Sequence, residues 1–412
     1  MKKVSYIALM GAAFALVSAN ANASGYQLNE YSATNLGRAF AGMGVVGDDY
    51  SAIAYNPAGM MLKDSGLQIG MSTVQMHSEA KGKVQTAMGE KSKPDGKVAI
   101  FKYLPHFFAQ KRVNDNLALG FGIFTPFGLA TDYNRHWFGA THGTKTALEV
   151  VDMSPTVAYR FGKLSLGAGW IIRYVHGDVR NELNLPGGLG EGSVNQMNLD
   201  GWSANSWSLG AMYEFTEDTR IGFSYRYNNA HTVKGDHKIR GAKGPYAALN
   251  GKYNGRSKMT LPASATLSAY HKLNDKYALT ATARWAKWDK FDYFVMTSDM
   301  APGAGSSIRE EWHNVMTYSL GVDYYKSDAL TIRGGIAYDR SPIGTNRNRT
   351  LRIPDSDRLF VTAGLTYKKG NFQYDLGYAH LFMRAAHSYN EGANVKFHNY
   401  SNMLGLQVQY NF

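Results

Sequence analysis

Six short polar turns punctuate the chain, at residues 113–116, 162–163, 216–219, 273–276, 326–329 and 369–371, each between runs of alternating apolar and polar residues. Asn, Asp or Gly in every one supplies a local hydrogen bond or a positive φ. The run Ile221, Phe223, Tyr225 and Tyr227, with Gly, Ser and Arg between, shows the period of two that one-sided burial imposes on a strand. Between the turns lie seven long irregular segments, about 80–96, 130–145, 184–200, 236–256, 297–309, 344–356 and 388–399. Six tight turns and seven long loops join fourteen strands. An even strand number, with short connections at one end and long ones at the other, is the pattern of a transmembrane barrel. The expected fold class is all-β: a fourteen-stranded antiparallel barrel with both chain ends at the short-turn, periplasmic side.

A mean hydropathy of −0.33 looks soluble, but lipid-facing apolar residues that alternate with lumen-facing polar ones give a barrel a low mean. Twenty-seven Tyr, 19 Phe and 7 Trp suit two aromatic girdles. Strands of roughly 12 to 20 residues outrun the roughly 9–11 that a tilted span needs, so the wall should project beyond the membrane. At the end of the chain Leu406, Val408 and Tyr410 alternate with polar residues before a terminal Phe412. That ending resembles the assembly signal of bacterial outer-membrane barrels.

Lys2 and Lys3, the apolar stretch 4–17 and Ala21-Asn22-Ala23 read as a secretory signal, removed after residue 23. Without those two lysines the formal charge falls from +12 to +10. The basic residues form no dense run, and export disfavours a nucleic-acid partner. With no Cys there is no disulfide framework, thiolate metal site or cysteine nucleophile. No His/carboxylate pair has metal-ligand spacing and no G-x-S-x-G occurs, so neither cofactor nor enzyme is expected.

Residues 24–65 precede the first strand and lack sustained periodicity. Fourteen strands enclose more space than wall side chains fill. Irregular backbone at membrane depth is tolerated when protein surrounds it. This segment is therefore expected to be a plug inside the lumen, with the barrel at 66–412.

"SGYQLNEYSATNLGRAFAG" from Ser24, followed by Asn56-Pro57-Ala58, resembles the N-terminal hatch of the FadL family of long-chain fatty acid outer-membrane transporters. "GLATDY" at 128–133, "IAYDRSPIGTNRNRTLRIPDSDR" at 336–358 and Phe412 extend the resemblance over the mature chain. The resemblance implies capture of fatty acid in a shallow outer groove, then a buried pocket closed from below by the hatch. It also implies a kinked third strand that opens the wall sideways, and no energy coupling. Ser24, Gly25, Tyr26, Asn56, Pro57 and Ala58 become gating candidates. Pro126, Phe127 and Gly128 become candidates for the kink, consistent with the missing ladder donor of Pro and the weak strand propensity of Gly.

A fatty acid offers a long tail and one carboxylate, so its site needs a cation. Alternation in the fifth strand turns Leu166, Ala168, Trp170, Ile172 and Tyr174 outward and Ile171 and Arg173 inward. Similar reasoning turns His313 and Val315 inward, with Arg226, Arg284 and Arg333. Arg173 and His313 are the carboxylate candidates, with His176 as a competitor to Arg173. The other inward arginines are expected to pair with plug acids such as Glu30, Asp48 or Asp49. Trp137, Phe138, Leu183, Leu185 and Leu189 are candidates for the outer groove, or pack the loops together.

Three functions remain open at this level. One is a channel for long-chain fatty acid; another is uptake of aromatic hydrocarbons or similar compounds. The third is a surface adhesin or receptor whose loops contact phage or host. The expected partners are a hydrophobic small molecule and the lipid and lipopolysaccharide around a monomeric barrel.

Overall fold

The computed structural model describes residues 25–85, 93–300 and 305–412. The expected signal peptide, residues 1–23, and Ser24 lie outside the described residues. Six strands, each a single segment, come first: β1 (Gly66–Val84), β2 (Gly96–Arg112), β3 (Leu117–Asp132), β4 (Lys145–Phe161), β5 (Leu164–Asn181) and β6 (Val194–Thr216). Four interrupted staves follow, β7 (Thr219–Tyr227) with β8 (His231–Arg240), β9 (Gly251–Met259) with β10 (Ala263–Lys272), β11 (Tyr277–Lys287) with β12 (Tyr293–Ser298), and β13 (Gly305–Arg309) with β14 (Val315–Tyr325). The ring is completed by β15 (Leu330–Asp339), β16 (Arg358–Lys369), β17 (Phe372–Met383) continued by β18 (Ala386–Ser388), and β19 (Ala393–Asn411). Nineteen antiparallel segments thus build fourteen staves. β19 pairs with β1 from Gly66↔Asn411 to Val84↔Ala393, which closes the ring and leaves no edge there.

All six expected turns connect the strands on either side of them. Asn114 and Asn274 fold their turns in the same way, each side-chain oxygen accepting from the two N–H groups two and three residues on. Gly162 and Gly370 supply φ of +60° and +59°. Some irregular segments are shorter than the sequence suggests. β8 and β9 stay paired from His231↔Met259 to Ile239↔Gly251, and β19 begins at Ala393. Outward positions such as Ile69, Leu166, Trp170, Leu209, Tyr318 and Leu406 are exposed, the apolar face a lipid environment requires.

Residues 25–61 are almost all buried and fill the lumen. Two one-turn helices, α1 (Ala33–Leu36) and α2 (Ala52–Tyr55), lead into a 3-10 turn over Pro57–Leu62. Ser32 caps α1 by accepting from the Asn35 N–H. Asn56 does the same for Ala58, and Pro57 stands where a missing N–H costs nothing. The plug is tied to the wall at the β1–β19 seam and at β11. The Ala33 N–H donates to Gln407 (2.8 Å), Gly42 N–H to Thr282 (2.9 Å) and Tyr50 N–H to Gln68 (2.9 Å). At Gly37 a Cβ would stand 2.7 Å from the Cα of Gly364, so plug backbone lies directly on wall backbone.

Inward arginines bind differently from the simplest expectation. Arg333 reaches the plug acid Asp48 at 3.0 Å. Arg38 runs the other way, from the plug to Asp323 of the wall at 2.8 Å, and also pairs with Asp48 at 2.9 Å. Arg226 pairs with Asp152 of the wall (2.5 Å), and Arg284 donates to the neutral Asn29 side chain. Asp49 accepts from the hydroxyls of Ser32, Thr34 and Ser51, while Glu30 accepts from the Asn29 N–H. Small hydroxyl and amide partners suit acids held within the plug, where a long arginine from the wall does not reach.

Candidate functional site

β3 breaks at its expected point. Phe124 pairs with Asp152 and Phe127 with Val150, so Thr125 and Pro126 stand opposite the single Val151. The ladder to β2 has already ended at Phe107↔Ile123. Above that pair, Gly96 to His106 bond only to β1, and Phe124 to Asp132 bond only to β4 among the described strands. The edge that β2 leaves is taken by the plug. Leu28 N–H donates to Pro126 O at 2.8 Å, Gly128 N–H donates to Tyr26 O at 2.9 Å, and Gln27 bridges Phe127.

Pinned by those bonds, Tyr26 enters an aromatic nest. Its ring lies 4.7 Å from Trp288, 5.6 Å from Phe291, 5.6 Å from Trp312 and 6.3 Å from Phe127. The hydroxyl donates to Thr260 O at 3.1 Å. Gly25 is required beside it: φ is +72°, and a Cβ would lie 2.3 Å from the Trp312 ring. Phe412 lies at the short-turn end, its N–H donating to Ser65 O, and Gly25 lies within the lumen.

Around Tyr26 the wall turns apolar inward. Leu129, Leu148, Val179, Met197, Leu199, Val233 and Met259 line a chamber with Phe291, Phe294 and Met296. Inward positions nearer the short turns are polar instead, among them Gln68, Thr282, Gln407 and Gln409. A wall apolar on both faces has no solvation reason to be so in a water-filled pore; it suits an apolar guest. With Tyr26 in place the open space is narrow, about 40 Å³.

Two ionisable groups reach the chamber, both from loops. Arg352 is buried, yet its guanidinium meets only neutral acceptors, Asn181 Oδ1 at 3.1 Å and Arg180 O at 3.4 Å. Among the described residues no carboxylate lies within ion-pair distance of it. Burial lowers its pKa to about 10, so it stays charged at neutral pH. Burial pushes Glu310 up to about 8, although Trp312 Nε1 donates to one of its oxygens at 3.0 Å and Thr350 to the other at 3.4 Å. Glu310 therefore favours its neutral form at neutral pH, and Arg352, although attracted to Glu310 and Glu391, has no acid in ion-pair contact among the described residues at the edge of an apolar chamber.

Of the expected carboxylate ligands, none lines this chamber. Arg173 does face inward and is fully buried, but Asp152 grips it at 2.6 and 2.7 Å, and Arg226 shares that acid. His313 is exposed in a polar cleft, because the chain leaves strand geometry before Val315 and alternation no longer sets its direction. His176 shares the outward parity of Tyr174 and accompanies it onto Asp200, at 2.8 Å from His176 Nδ1. Asn56, Pro57 and Ala58 press on Gly167 and Gly210 near the short turns, ten residues down β5 from the chamber residue Gly177.

The groove candidates divide. Trp137 and Phe138 are buried, as loop packing requires; Tyr133 stacks on Trp137 at 3.9 Å and Trp137 Nε1 donates to Gly143 O. Residues 133–143 form turns rather than a helix. Phe138 still meets half-buried Leu183 and Leu185 in a small cleft, whereas Leu189 packs toward Gly244. Sequence reasoning passed over Arg352 and Glu310. Arg352 lay within the family-like stretch 336–358, but nothing in a loop's residue order states which way a side chain points.

A family model described as outer membrane protein transport protein (OMPP1/FadL/TodX) matches residues 14–412. The chain is 30% identical to the 47 kDa outer membrane protein of Pasteurella multocida, over 98% of each. It is 28% identical to the long-chain fatty acid transport protein of Escherichia coli O6:H1, over 94% of this chain and 91% of that one. The crystal structure of a Pseudomonas aeruginosa FadL homologue has a TM-score of 0.84 at 23% identity, covering 94% of this chain and 100% of that one. The Pseudomonas putida toluene transporter TodX has a TM-score of 0.68 at 15% identity, over 94% and 100%. These structures share the fold. The family match spans the plug and every stave, and the protein belongs to the OMPP1/FadL/TodX family of outer-membrane transporters of hydrophobic compounds.

Proposed function

We propose that this protein takes up long-chain fatty acids by diffusion, with the chamber behind Tyr26 as the internal site and Arg352 as the carboxylate partner. The observation that carries the reading is a buried guanidinium with no acid in ion-pair contact, among the described residues, at the edge of an apolar chamber. A neutral hydrocarbon would gain nothing from that charge. A fatty acid would bury its tail at about 0.8 kcal/mol per methylene and satisfy the cation with its head. The name of the Escherichia coli relative points the same way.

In this reading the long loops face outward and Phe412 faces the periplasm. Phe138, Leu183 and Leu185 form the first apolar contact. Tyr26 then withdraws to admit the tail, and the gap between β2 and β3, once the plug tip leaves the β3 edge, provides the sideways exit. Gly25, Tyr26 and the Asn56-Pro57-Ala58 turn act as plug elements that gate and floor the path.

Calorimetric titration of delipidated protein with oleate and with toluene tests it. Saturable oleate binding, weakened at least tenfold in Arg352→Ala, is expected. Toluene binding without oleate binding would assign the hydrocarbon function instead. Binding of neither by a folded barrel would leave the loops as the functional surface.

A further inference from the structure

A second site lies on the rim several staves from the β3 break, above β15, β16 and β17. The register aligns Tyr318, Tyr338, Leu359, Phe382 and Tyr400 in one row across β14, β15, β16, β17 and β19. All five are exposed on the lipid-facing side. Ten residues down β17, exposed Phe372 begins the opposite belt. At about 3.3 Å per residue and a tilt of roughly 40°, ten residues rise about 25 Å, the height of a barrel's apolar band. The same tilt spreads the Tyr338–Leu359–Phe382 part of the row over only about 6 Å of height, so these three mark the long-loop end of the apolar band.

Two residues above it, with the same parity, stand Arg340, Asp357 and Arg384. The Arg384 N–H donates to Asp357 O at 2.9 Å, which carries the β16–β17 register one step past Arg358↔Met383. Arg340 and Arg384 are exposed, and neither has an acid within ion-pair distance among the described residues. Asp357, between them, is already occupied: Tyr338 donates to one oxygen at 3.0 Å and the Ser341 N–H to the other at 2.9 Å. Both arginines line a polar cleft of about 600 Å³, with buried Arg349 in its wall.

We propose that this cleft binds the phosphorylated headgroup of a glycolipid in the outer leaflet, with its acyl chains on the Tyr338–Leu359–Phe382 row. Guanidinium forks match phosphate oxygens two at a time. The arginine backbones are two strands apart, about 10 Å, which suits a head bearing two phosphates better than a single carboxylate. The position roughly 7 Å above an apolar row is the feature a free anion would not use. The site is independent of the chamber and of what passes through it.

Native mass spectrometry of protein refolded free of lipid tests the assignment. Probes are bisphosphorylated lipid A, its dephosphorylated form, oleate and inorganic phosphate. Lipid A is expected to bind the wild type and the Arg347→Gln control alike, and at least tenfold more weakly the Arg340→Gln/Arg384→Gln double variant. Folding is checked by heat-modifiable migration on gels. Asp357→Asn removes the one carboxylate in the described lining and is expected to tighten binding, which gives a readout without the double variant. Equal lipid A binding by the double variant, or equal binding of the dephosphorylated lipid, would overturn the proposal. Inorganic phosphate or oleate displacing lipid A at comparable concentration would reassign the cleft to soluble or fatty anions and equally overturn it.

Discussion

The Gly128 N–H donates to the carbonyl of Tyr26 at 2.9 Å, so the tip of the plug forms a short extra strand against the break in the wall. One element thereby covers the unpaired edge of β3 and carries the ring that fills the chamber. The two are linked through the backbone: withdrawing residue 26 as a whole breaks its carbonyl bond to the Gly128 N–H and loosens the neighbouring Leu28 bond to Pro126. Tyr26→Ala is expected to speed entry of a fluorescent fatty acid several-fold in stopped-flow mixing. An unchanged entry rate would show that the barrier lies elsewhere.

Glu310 gives the site a pH dependence. Its folded pKa, about 8, lies above the 4.5 of a free side chain, so the neutral form prevails in the fold at pH 7. An anionic ligand favours that neutral form. Oleate affinity is expected to hold below pH 8 and to fall above it, by up to about tenfold per unit, the limit for one coupled proton. Glu310→Gln should flatten the profile when titrated calorimetrically from pH 7 to 9.5.

Arg173 and Arg352 should respond in opposite ways. Asp152 holds both Arg173 and Arg226, so Asp152→Asn leaves one buried and one half-buried cation without their acid. Breaking such a cluster costs roughly 3–5 kcal/mol. The thermal midpoint, followed by circular dichroism in detergent, is expected to drop while oleate affinity stays within threefold. Arg352→Ala should weaken oleate binding and leave the midpoint nearly unchanged.

The plug is anchored electrostatically by Arg38, which joins Asp48 beside it to Asp323 across in the wall. Arg38→Ala leaves Arg333 alone with both acids. The barrel should still fold, because its ladders are untouched. Single-channel recordings in planar bilayers are expected to show more frequent openings, and a record identical to the wild type would place the anchor elsewhere.

Alternation and turn chemistry were enough to recover the fourteen staves, the six tight turns and the outward face of β5. A strand's period is two wherever one face meets lipid, and Asn114, Asn274, Gly162 and Gly370 act through bonds and φ values within a few residues of themselves. The break at Thr125-Pro126 was legible from the missing N–H of Pro126 beside Gly128, although Pro105 and Pro155 sit within ladders whose register continues, so the proline alone does not decide it. Arg173 was placed inside correctly by parity, but parity carries no information about Asp152 on the next strand.

His313 and Arg352 mark where local reasoning stopped. Both lie in loops, where no period links residue number to direction. Arg352 meets Asn181 and faces the chamber only because distant segments close around the barrel's mouth, and His313 turns to a different cleft. What the order of residues determined by itself was the wall, since its rules act between neighbours and between chain and lipid. Which buried cation lacks an acid, and which aromatic ring stands in the ligand's place, was decided only when residues far apart in the chain came within a few ångströms.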